Sequence, residues 1–240
     1  MDINKVLVFS IKGKTAHFKK YYSNKSSLTY KIPSRTVLMG MVASILKYSR
    51  DNYYDELSPA NAKFGLKIKK PGSTHFECMN YLKEGGGHTQ VRLQLLLPKE
   101  NNLEYKVYFT HKDEKIINEL KNKIQNKKLG YGVFFGQRQF RANIDFNYII
   151  DDINIEENYK GEIATLTYKN NVKDFKAGNN LDLIIDSMPI SFKKSQNGRE
   201  PQSIKEILYE ENGGKLKGKF KEIIKTNNEN ISFFTSIRRN

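Results

Sequence analysis

The sequence predicts an α+β fold, and two observations carry that prediction. Apolar, β-branched segments of strand length alternate along residues 1–150 with two segments whose apolar residues recur at helical spacing. Beyond residue 151 further strand-like segments follow. A chain of 240 residues is long enough to bury a substantial core. We therefore expect an α+β unit over 1–150 and a β-rich extension over 151–240.

The first unit has the element order strand, helix, strand, strand, helix, strand. Ser34 is placed to cap the first helix, and Asp113 with Glu114 opens the second, where acids suit the helix dipole. The predicted elements are strands at 6–12, 62–69, 103–110 and 144–150, with helices from 33 to 46 and from 113 to 124. Between the second and third strands, residues 73–89 look irregular and 91–97 look like the return strand of a long hairpin. This order is ferredoxin-like, as in RNA-recognition-motif (RRM-like) folds, with a hairpin insert over about 70–98.

Three finer expectations depend on short segments. Residues 15–29 are too polar for a core element and predict a loop. Gly40 inside the first helix costs about 1 kcal/mol relative to alanine, and we expect it to allow close packing of the helix on a sheet. In the extension, we predict strands at 163–168 and 181–185 and a last apolar segment at 231–237.

Positive charge is concentrated at the N-terminus. Residues 1–50 hold ten basic residues and one acid, Asp2, and so carry +9 of the formal net charge of +15. A pI near 9.6 favours a polyanionic partner. No basic amphipathic helix is evident, which favours nucleic acid over an anionic membrane. A generally solvated lysine-rich surface is the alternative.

Two segments carry side chains suited to nucleic acid. In the first, lysines would neutralise phosphates, tyrosines would stack on bases, and a helix N-terminus would supply N–H donors. Its members are Lys12, Lys14, His17, Lys19, Lys20, Tyr21, Tyr22, Tyr30, Pro33, Ser34 and Arg35. In the second, a glycine permits close backbone approach and arginines fork onto phosphate; its members are Gly136, Gln137, Arg138 and Arg141. The alternatives are a solvated loop with Tyr30 in the core, and a turn with surface arginines.

The hairpin insert carries a third set. A glycine-rich tip on a long hairpin would reach into a partner or between nucleotides, whereas a disordered surface loop is the alternative. The members of this set are His75, Gly85, Gly86, Gly87, His88 and Arg92.

The sequence does not favour catalysis, a metal or a cofactor. Its four histidines lack metal-ligand spacing, and Cys78, the only cysteine, permits neither a cysteine zinc site nor an intrachain disulfide. We expect Cys78 to be a partly buried thiol. A metal-independent ribonuclease is an alternative function, since Tyr30, His111 and Lys112 could supply its catalytic groups. Its alternative is a strand-end histidine beside a solvated lysine.

The expected location is the cytoplasm. No apolar run approaches the roughly 20 residues needed to span a bilayer, so we expect no membrane association. A single cysteine fits a reducing compartment.

Three segments resemble CRISPR-associated family five. The strand leading to TYKIPSRTVLMGMVASIL at 29–46 resembles the N-terminal signature of that family. FFGQRQFRANI at 134–144 is similar to its later glycine motif. MPISF at 188–192, with Arg199 and ILYEENGGKLKG at 207–218, resembles the C-terminal portion of the type I-B branch.

The resemblance implies a ferredoxin-like palm with a protruding thumb, which would be the hairpin. It also implies a subunit of the Cascade surveillance complex of the RAMP superfamily, acting in antiviral defence by gripping the repeat-derived five-prime handle of the crRNA. The implied partners are the crRNA, the family-seven backbone subunit through the thumb, the family-eight large subunit and, indirectly, target DNA.

The resemblance leaves catalysis open. In type I-B systems a separate family-six ribonuclease usually cuts the precursor, whereas in type I-C systems family five cuts it with Tyr, Lys and His residues. We therefore expect a non-catalytic RNA-binding subunit. The rivals are a metal-independent endoribonuclease processing precursor crRNA, and a basic RNA-binding module outside CRISPR systems.

Overall fold

A computed structural model describes residues 3–23, 27–175, 181–196 and 198–238. Asp2 and Lys25, which enter the charge count above, lie outside these ranges. The helices of the described chain are α1 (Arg35–Ile45) and α2 (Glu114–Gln125), with a 3₁₀ turn at Lys169–Asn171. The strands are β1 (Val6–Gly13), β2 (Phe18–Lys19), β3 (Thr29–Tyr30), β4 (Ala62–Lys70), β5 (Gly72–Leu82), β6 (His88–Pro98), β7 (Leu103–His111), β8 (Ala142–Ile150), β9 (Asn154–Ile163), β10 (Thr167–Tyr168), β11 (Val172–Phe175), β12 (Leu183–Ser195), β13 (Gly198–Glu210) and β14 (Leu216–Lys225).

The palm is a four-stranded antiparallel sheet in the order β4-β7-β1-β8. With α1 between β1 and β4, and α2 between β7 and β8, this is the ferredoxin-like arrangement. The predicted α+β fold is confirmed, and all four palm strands and both helices lie where their periodicity indicates.

Both faces of the palm sheet are buried. Leu7 and Phe9 of β1 belong to the core shared with α1 and α2. Val6 and Val8 alternate with them and join a second core with Ile224 and Phe233 from the end of the chain. Because the C-terminal segment covers the sheet face opposite the helices, that face is closed to RNA, unlike the open sheet of an RNA-recognition motif.

The first helix begins at the predicted cap, Ser34, and the second begins at Asp113, one of the two acids expected to open it. The Ser34 hydroxyl accepts a hydrogen bond from the Val37 N–H at 3.4 Å, and the Asp113 carboxylate accepts one from the Lys115 N–H at 2.9 Å. The expectation that Gly40 allows α1 to pack closely on the sheet is wrong. A Cβ at this position would lie 3.6 Å from the Tyr53 hydroxyl, and Gly40 lines a cleft instead of facing the sheet.

The long hairpin is confirmed, but its first strand was missed. Residues 73–89 are not irregular, because β5 pairs with β6 from Gly72↔Pro98 to Leu82↔His88. The turn closes with a 2.9 Å hydrogen bond from the Lys83 N–H to the Gly87 carbonyl. Most of β5 is exposed, so no buried face imposes an alternating pattern on its sequence.

The extension forms two three-stranded sheets, β10-β13-β12 and β11-β14-β9. The predicted strand at 163–168 is two strands, since Ile163 ends β9 and Thr167–Tyr168 pairs with β13 in the other sheet. The strand predicted at 181–185 is confirmed as β12, which continues to Ser195. Met188 and Ile190 of β12 belong to the palm core, so the extension and palm share one interior.

Candidate nucleic-acid interface

A cleft of about 620 Å³ opens between the palm and the extension. Four separate segments supply its walls: the segment after β1, the helix α1 with the turn after it, the glycine-rich segment before β8, and the β12–β13 hairpin. The loop predicted over residues 15–29 is wrong, because this segment contains β2 and the start of β3 and buries Phe18 in the core. The lining residues are His17, Lys19 and Tyr21; Ser34, Thr36, Val37, Gly40, Met41, Ser44 and Tyr53; Gly132, Phe134, Gly136 and Gln137; and Pro189, Phe192, Arg199 and Pro201.

Arg35 fastens two of these walls together. Its side chain is fully buried, and its guanidinium donates to the Ile190 carbonyl at 2.6 Å, the Leu57 carbonyl at 2.8 Å and the Ala62 carbonyl at 2.9 Å. The guanidinium also lies 5.2 Å from the centroid of the Phe64 ring. Burial lowers the pKa of Arg35 to about 9, which still leaves it charged at pH 7. The prediction that Arg35 contacts RNA is therefore wrong, because its donors bind carbonyls inside the protein.

His17 and Gly136 join the segment after β1 to the glycine-rich segment. The His17 Nδ1–H donates to the Gln94 carbonyl at 2.8 Å, and Nε2 lies 3.0 Å from the Ser27 hydroxyl. Burial lowers the pKa of His17, against the opposing effect of the Gln94 carbonyl, so the ring is neutral. Gly136 has φ +92°, and a Cβ there would lie 1.9 Å from the His17 carbonyl oxygen. Glycine at 136 is required by a protein backbone and not by a nucleotide.

The glycine-rich segment also docks on α1. The Ser44 hydroxyl donates to the Gly132 carbonyl at 2.7 Å, and the Tyr131 N–H donates to the Ser44 carbonyl at 3.1 Å. A Cβ at Gly130 would lie 2.1 Å from that same Ser44 oxygen. Residues 130–136 thereby become a fixed wall of the cleft.

Cations and aromatic rings meet across the cleft. Lys19 is exposed and has no ion-pair partner among the described residues. On the β12–β13 hairpin, the Arg199 guanidinium lies 5.1 Å from the centroid of the Phe192 ring. Burial raises the pKa of Tyr53, and Arg199 opposes that rise. The cleft is lined by two cations together with aromatic rings and hydroxyls.

Sequence reasoning identified about a third of the cleft. His17, Lys19, Tyr21, Ser34, Gly136 and Gln137 line it as predicted candidates. Tyr53, Phe134, Phe192 and Arg199 were missed as site residues. Arg199 and Phe192 lie within the C-terminal motifs that resemble the family, and that resemblance was the one signal pointing to them.

The other predicted RNA-binding residues of the first set lie elsewhere. Lys12 Nζ is 3.7 Å from the Asp145 carboxylate, and Lys14 donates to the Asn101 carbonyl at 2.8 Å. Lys20 donates to Asp186 at 3.1 Å. Burial lowers the pKa of Lys20, but the hydrogen bond and charge of Asp186, together with Tyr22, outweigh that effect and the pKa is raised. All three lysines lie outside the cleft.

The remaining members divide into buried and exposed residues. Pro33 is buried, and Tyr30 is 1% exposed. Tyr22 is 51% exposed, and its ring packs edge-on against Tyr21 with centroids 5.1 Å apart. Arg138 and Arg141 are exposed, outside the cleft, and without an ion-pair partner in the described part of the chain.

The alternative catalytic constellation is not assembled at the cleft. The Tyr30 hydroxyl donates to the Ser187 carbonyl at 2.6 Å, and burial raises the pKa of Tyr30. His111 is buried, with Nδ1 accepting from the Asp113 N–H at 3.0 Å and Nε2 3.0 Å from the Glu56 carbonyl. Lys112 is exposed. None of the three lines the cleft, and both aromatic side chains are engaged within the protein.

The hairpin residues lie outside the cleft. Gly85, Gly86 and Gly87 form the turn with φ of +92°, +97° and +79°. The Arg92 guanidinium lies 4.5 Å from the centroid of the Phe76 ring, which is 47% exposed.

The remaining predicted residues of the hairpin lie on β5 and at the start of β6. His75 Nε2 lies 3.1 Å from the Ser73 hydroxyl, and His88 begins β6 opposite Leu82. Cys78 is exposed, so the expectation of a partly buried thiol is wrong.

The described residues lack a metal cluster and a membrane-spanning helix. They contain no group of three or more His, Cys, Asp or Glu side chains placed to hold a metal ion. They also contain no helix with the length and apolar character needed to cross a membrane.

Comparisons with known proteins identify the fold. No protein-family model matches the chain, and no curated protein matches it in sequence. A chain of a CRISPR RNA-guided surveillance complex is similar in structure, with a TM-score of 0.56 and 15% identity over 86% of this chain and 90% of that one. A CRISPR protein from Archaeoglobus fulgidus has a TM-score of 0.54 and 8% identity over 97% and 100%. A chain of the Type III-B Cmr-beta complex bound to cognate target RNA and AMPPnP has a TM-score of 0.54 and 13% identity over 88% and 86%. The shared property is the β-rich α+β fold.

Proposed function

We propose that the chain is a non-catalytic RNA-binding subunit of a type I CRISPR surveillance complex and that its cleft grips the five-prime handle of the crRNA. The composition of the cleft carries this proposal. Cations, aromatic rings and hydroxyls from four segments converge on one groove of about 620 Å³. Single-stranded RNA is bound by this combination, since unstacked bases need ring faces and the backbone needs cations.

The cleft residues have distinct roles in this proposal. Lys19 and Arg199, which belong to two different wall segments, contact phosphates. Tyr21 and Phe134 offer ring faces for stacking, and Gln137 offers an amide to a base edge.

The assignment to a CRISPR complex is supported by two independent likenesses. Three sequence segments resemble family five, and the fold resembles solved chains of CRISPR complexes. On this basis we assign the chain to the type I-B branch, in the cytoplasm and without a cofactor. Its partners are the family-seven subunit at the hairpin, the family-eight subunit and, indirectly, target DNA. The exposed Phe76 and Leu82 of the hairpin suit a protein contact.

The decisive test compares two variants that remove the same charge. Lys19→Gln with Arg199→Gln changes the cleft, whereas Lys12→Gln with Lys14→Gln changes lysines of the same N-terminal part of the chain that lie outside the cleft. We expect the cleft variant to weaken binding of handle RNA about tenfold. It should also lower the magnitude of the slope of log K against log[salt] by ~1.4, since each single-strand phosphate contact contributes ~0.7 to that slope. Fluorescence anisotropy across salt concentrations measures both. Equal effects of the two variants would contradict the cleft as the site.

Two further measurements separate the rival functions. Equal affinity for handle RNA and a scrambled RNA of the same length would favour a general RNA-binding module. Incubation with repeat RNA in EDTA tests the endoribonuclease, and a discrete product lost on His111→Ala would overturn the non-catalytic assignment.

A further inference from the structure

The sheet β11-β14-β9 exposes a face built from lysines. Side chains at alternate positions of a strand point to the same side, and every second residue from Lys215 to Lys221 is an exposed lysine. Lys160 on β9 lies opposite Lys219 in the register. Lys173 on β11 reaches across β14 to the Asn158 side chain of β9. The lysine face is defined as Lys160, Lys173, Lys215, Lys217, Lys219 and Lys221, and none of these lines the cleft.

This positive charge is segregated and not a property of the whole extension. Residues 151–240 contain 15 basic and 14 acidic residues, a net charge of +1. On the face, two carboxylates stand against six lysines: Glu162 lies 3.6 Å from Lys215 and 3.7 Å from Lys217, and Asp174 lies 3.6 Å from Lys219. Exposed pairs of this kind contribute at most about 1 kcal/mol, so the lysines are available to another partner.

Sheet stability explains only part of the row. Lys217 faces Glu162 and Lys219 faces Asp174, which are favourable pairs, but Lys160 is also a direct cross-strand neighbour of Lys219, and like charges in that position are destabilising. Lysines often protect an exposed edge strand from aggregation, but β14 is the central strand of its sheet. The arrangement therefore points to a partner that compensates the repulsion.

The chemistry of the face selects the partner. The rings of Tyr159 and Phe220 belong to the inner core, so the described part of this face has no ring on which a base can stack. Lysine carries a point charge on a flexible stem and lacks the planar fork of arginine. Lysines two residues apart on a strand are about 6.8 Å apart, a regular spacing that suits the repeating phosphates of a rigid duplex.

We propose that the lysine face binds the backbone of double-stranded nucleic acid without reading its sequence. This site is separate from the cleft, and the proposal stands whether or not the cleft binds crRNA.

The test uses the full chain and a 30-base-pair DNA duplex of random sequence. Lys217, Lys219 and Lys221 are changed together to Gln, and the control changes Lys115, Lys123 and Lys128 of α2 and its following turn to Gln. We expect the face variant to raise the Kd for the duplex at least tenfold and to lower the salt slope by ~2.7, at ~0.9 per duplex phosphate contact. Circular dichroism checks that both variants remain folded.

The outcomes are distinguishable. Loss of duplex binding in the face variant, with single-stranded RNA binding retained, supports the proposal. Equal duplex affinity of the face and control variants overturns it. Weakened binding to polyglutamate or to phosphatidylserine vesicles, with duplex binding unchanged, also overturns it and assigns the face to an acidic protein or a membrane.

Discussion

The cleft and the lysine face show two ways in which one chain presents positive charge. In the cleft, two cations stand among rings, hydroxyls and glycines from four segments, held by buried hydrogen bonds. On the lysine face, one residue type repeats along a single strand and its neighbours, with its charged groups in solvent. A site that distinguishes bases needs fixed walls, whereas a site that neutralises phosphates needs only charge at a regular spacing. Four comparisons between variants test this difference.

The largest effect is expected on removing the buried cation that fastens the cleft walls. Arg35→Ala leaves the carbonyls of Leu57, Ala62 and Ile190 without their donor and opens a cavity, so the free energy of unfolding should fall by about 3–5 kcal/mol. Urea denaturation measures it. Arg138→Ala, at an exposed and unpaired position, should change stability by less than about 0.5 kcal/mol. Similar losses in both variants would show that the walls do not depend on Arg35.

A matched pair of glycines tests the junction between the segment after β1 and the glycine-rich segment. Gly136 and Gly85 both have φ of +92°, but only at Gly136 would a Cβ clash, 1.9 Å from the His17 oxygen. We expect Gly85→Ala to lower the free energy of unfolding by about 1 kcal/mol, because of its backbone conformation alone. Gly136→Ala should lower it by about 3 kcal/mol or more, because the clash adds to the backbone strain. Gly136→Ala should also weaken RNA binding. Equal losses of stability in the two variants would mean that the His17 backbone moves away from the added methyl group at little cost in free energy.

Acidic pH should lower stability through His17 in the cleft, and the lysine face should make no contribution to this pH dependence. Burial lowers the pKa of His17 below its ordinary value of 6.5, so below that pH the unfolded chain binds a proton more readily than the folded one. His17 should therefore make stability fall as pH drops below 6.5, by no more than about 1.4 kcal/mol per pH unit.

The measurement compares unfolding free energies at pH 7.5 and 5.5. The wild type should lose more stability than His17→Gln over this interval. The triple glutamine variant of the lysine face should behave as the wild type does, since that face contains no histidine. A wild-type profile that coincides with that of His17→Gln would contradict a neutral, buried His17.

The smallest effect distinguishes like from opposite charges across a strand pair. Lys160 faces Lys219, so Lys160→Gln should stabilise the protein by a few tenths of a kcal/mol, roughly the lower end of cross-strand pair energies. Lys193 faces Glu200 at 3.6 Å, so Lys193→Gln should cost a similar amount. Thermal unfolding of both variants measures the sign. A loss of stability in both variants would show that the repulsion between Lys160 and Lys219 is screened.

The palm was predictable because its elements carry their own patterns. The helix α1 follows from a cap at Ser34 and apolar residues at helical spacing, and β1 follows from a continuous apolar run buried on both faces. The strand β5 was missed because most of its residues face solvent and need no alternation. In the extension, the chain changes sheets between Ile163 and Thr167, which a local apolar pattern does not record.

The sequence by itself determined the α+β class, the hairpin and the placement of charge, since all three depend on residues near one another in the chain. Only the tertiary structure decided which candidates share a site. It removed Arg35 and Tyr30 by burying them, and it brought Tyr21 into the same cleft as Arg199, 178 positions later. The physical reason is that burial and cleft geometry arise from contacts between distant segments, and these contacts impose no periodic pattern on the residues that make them.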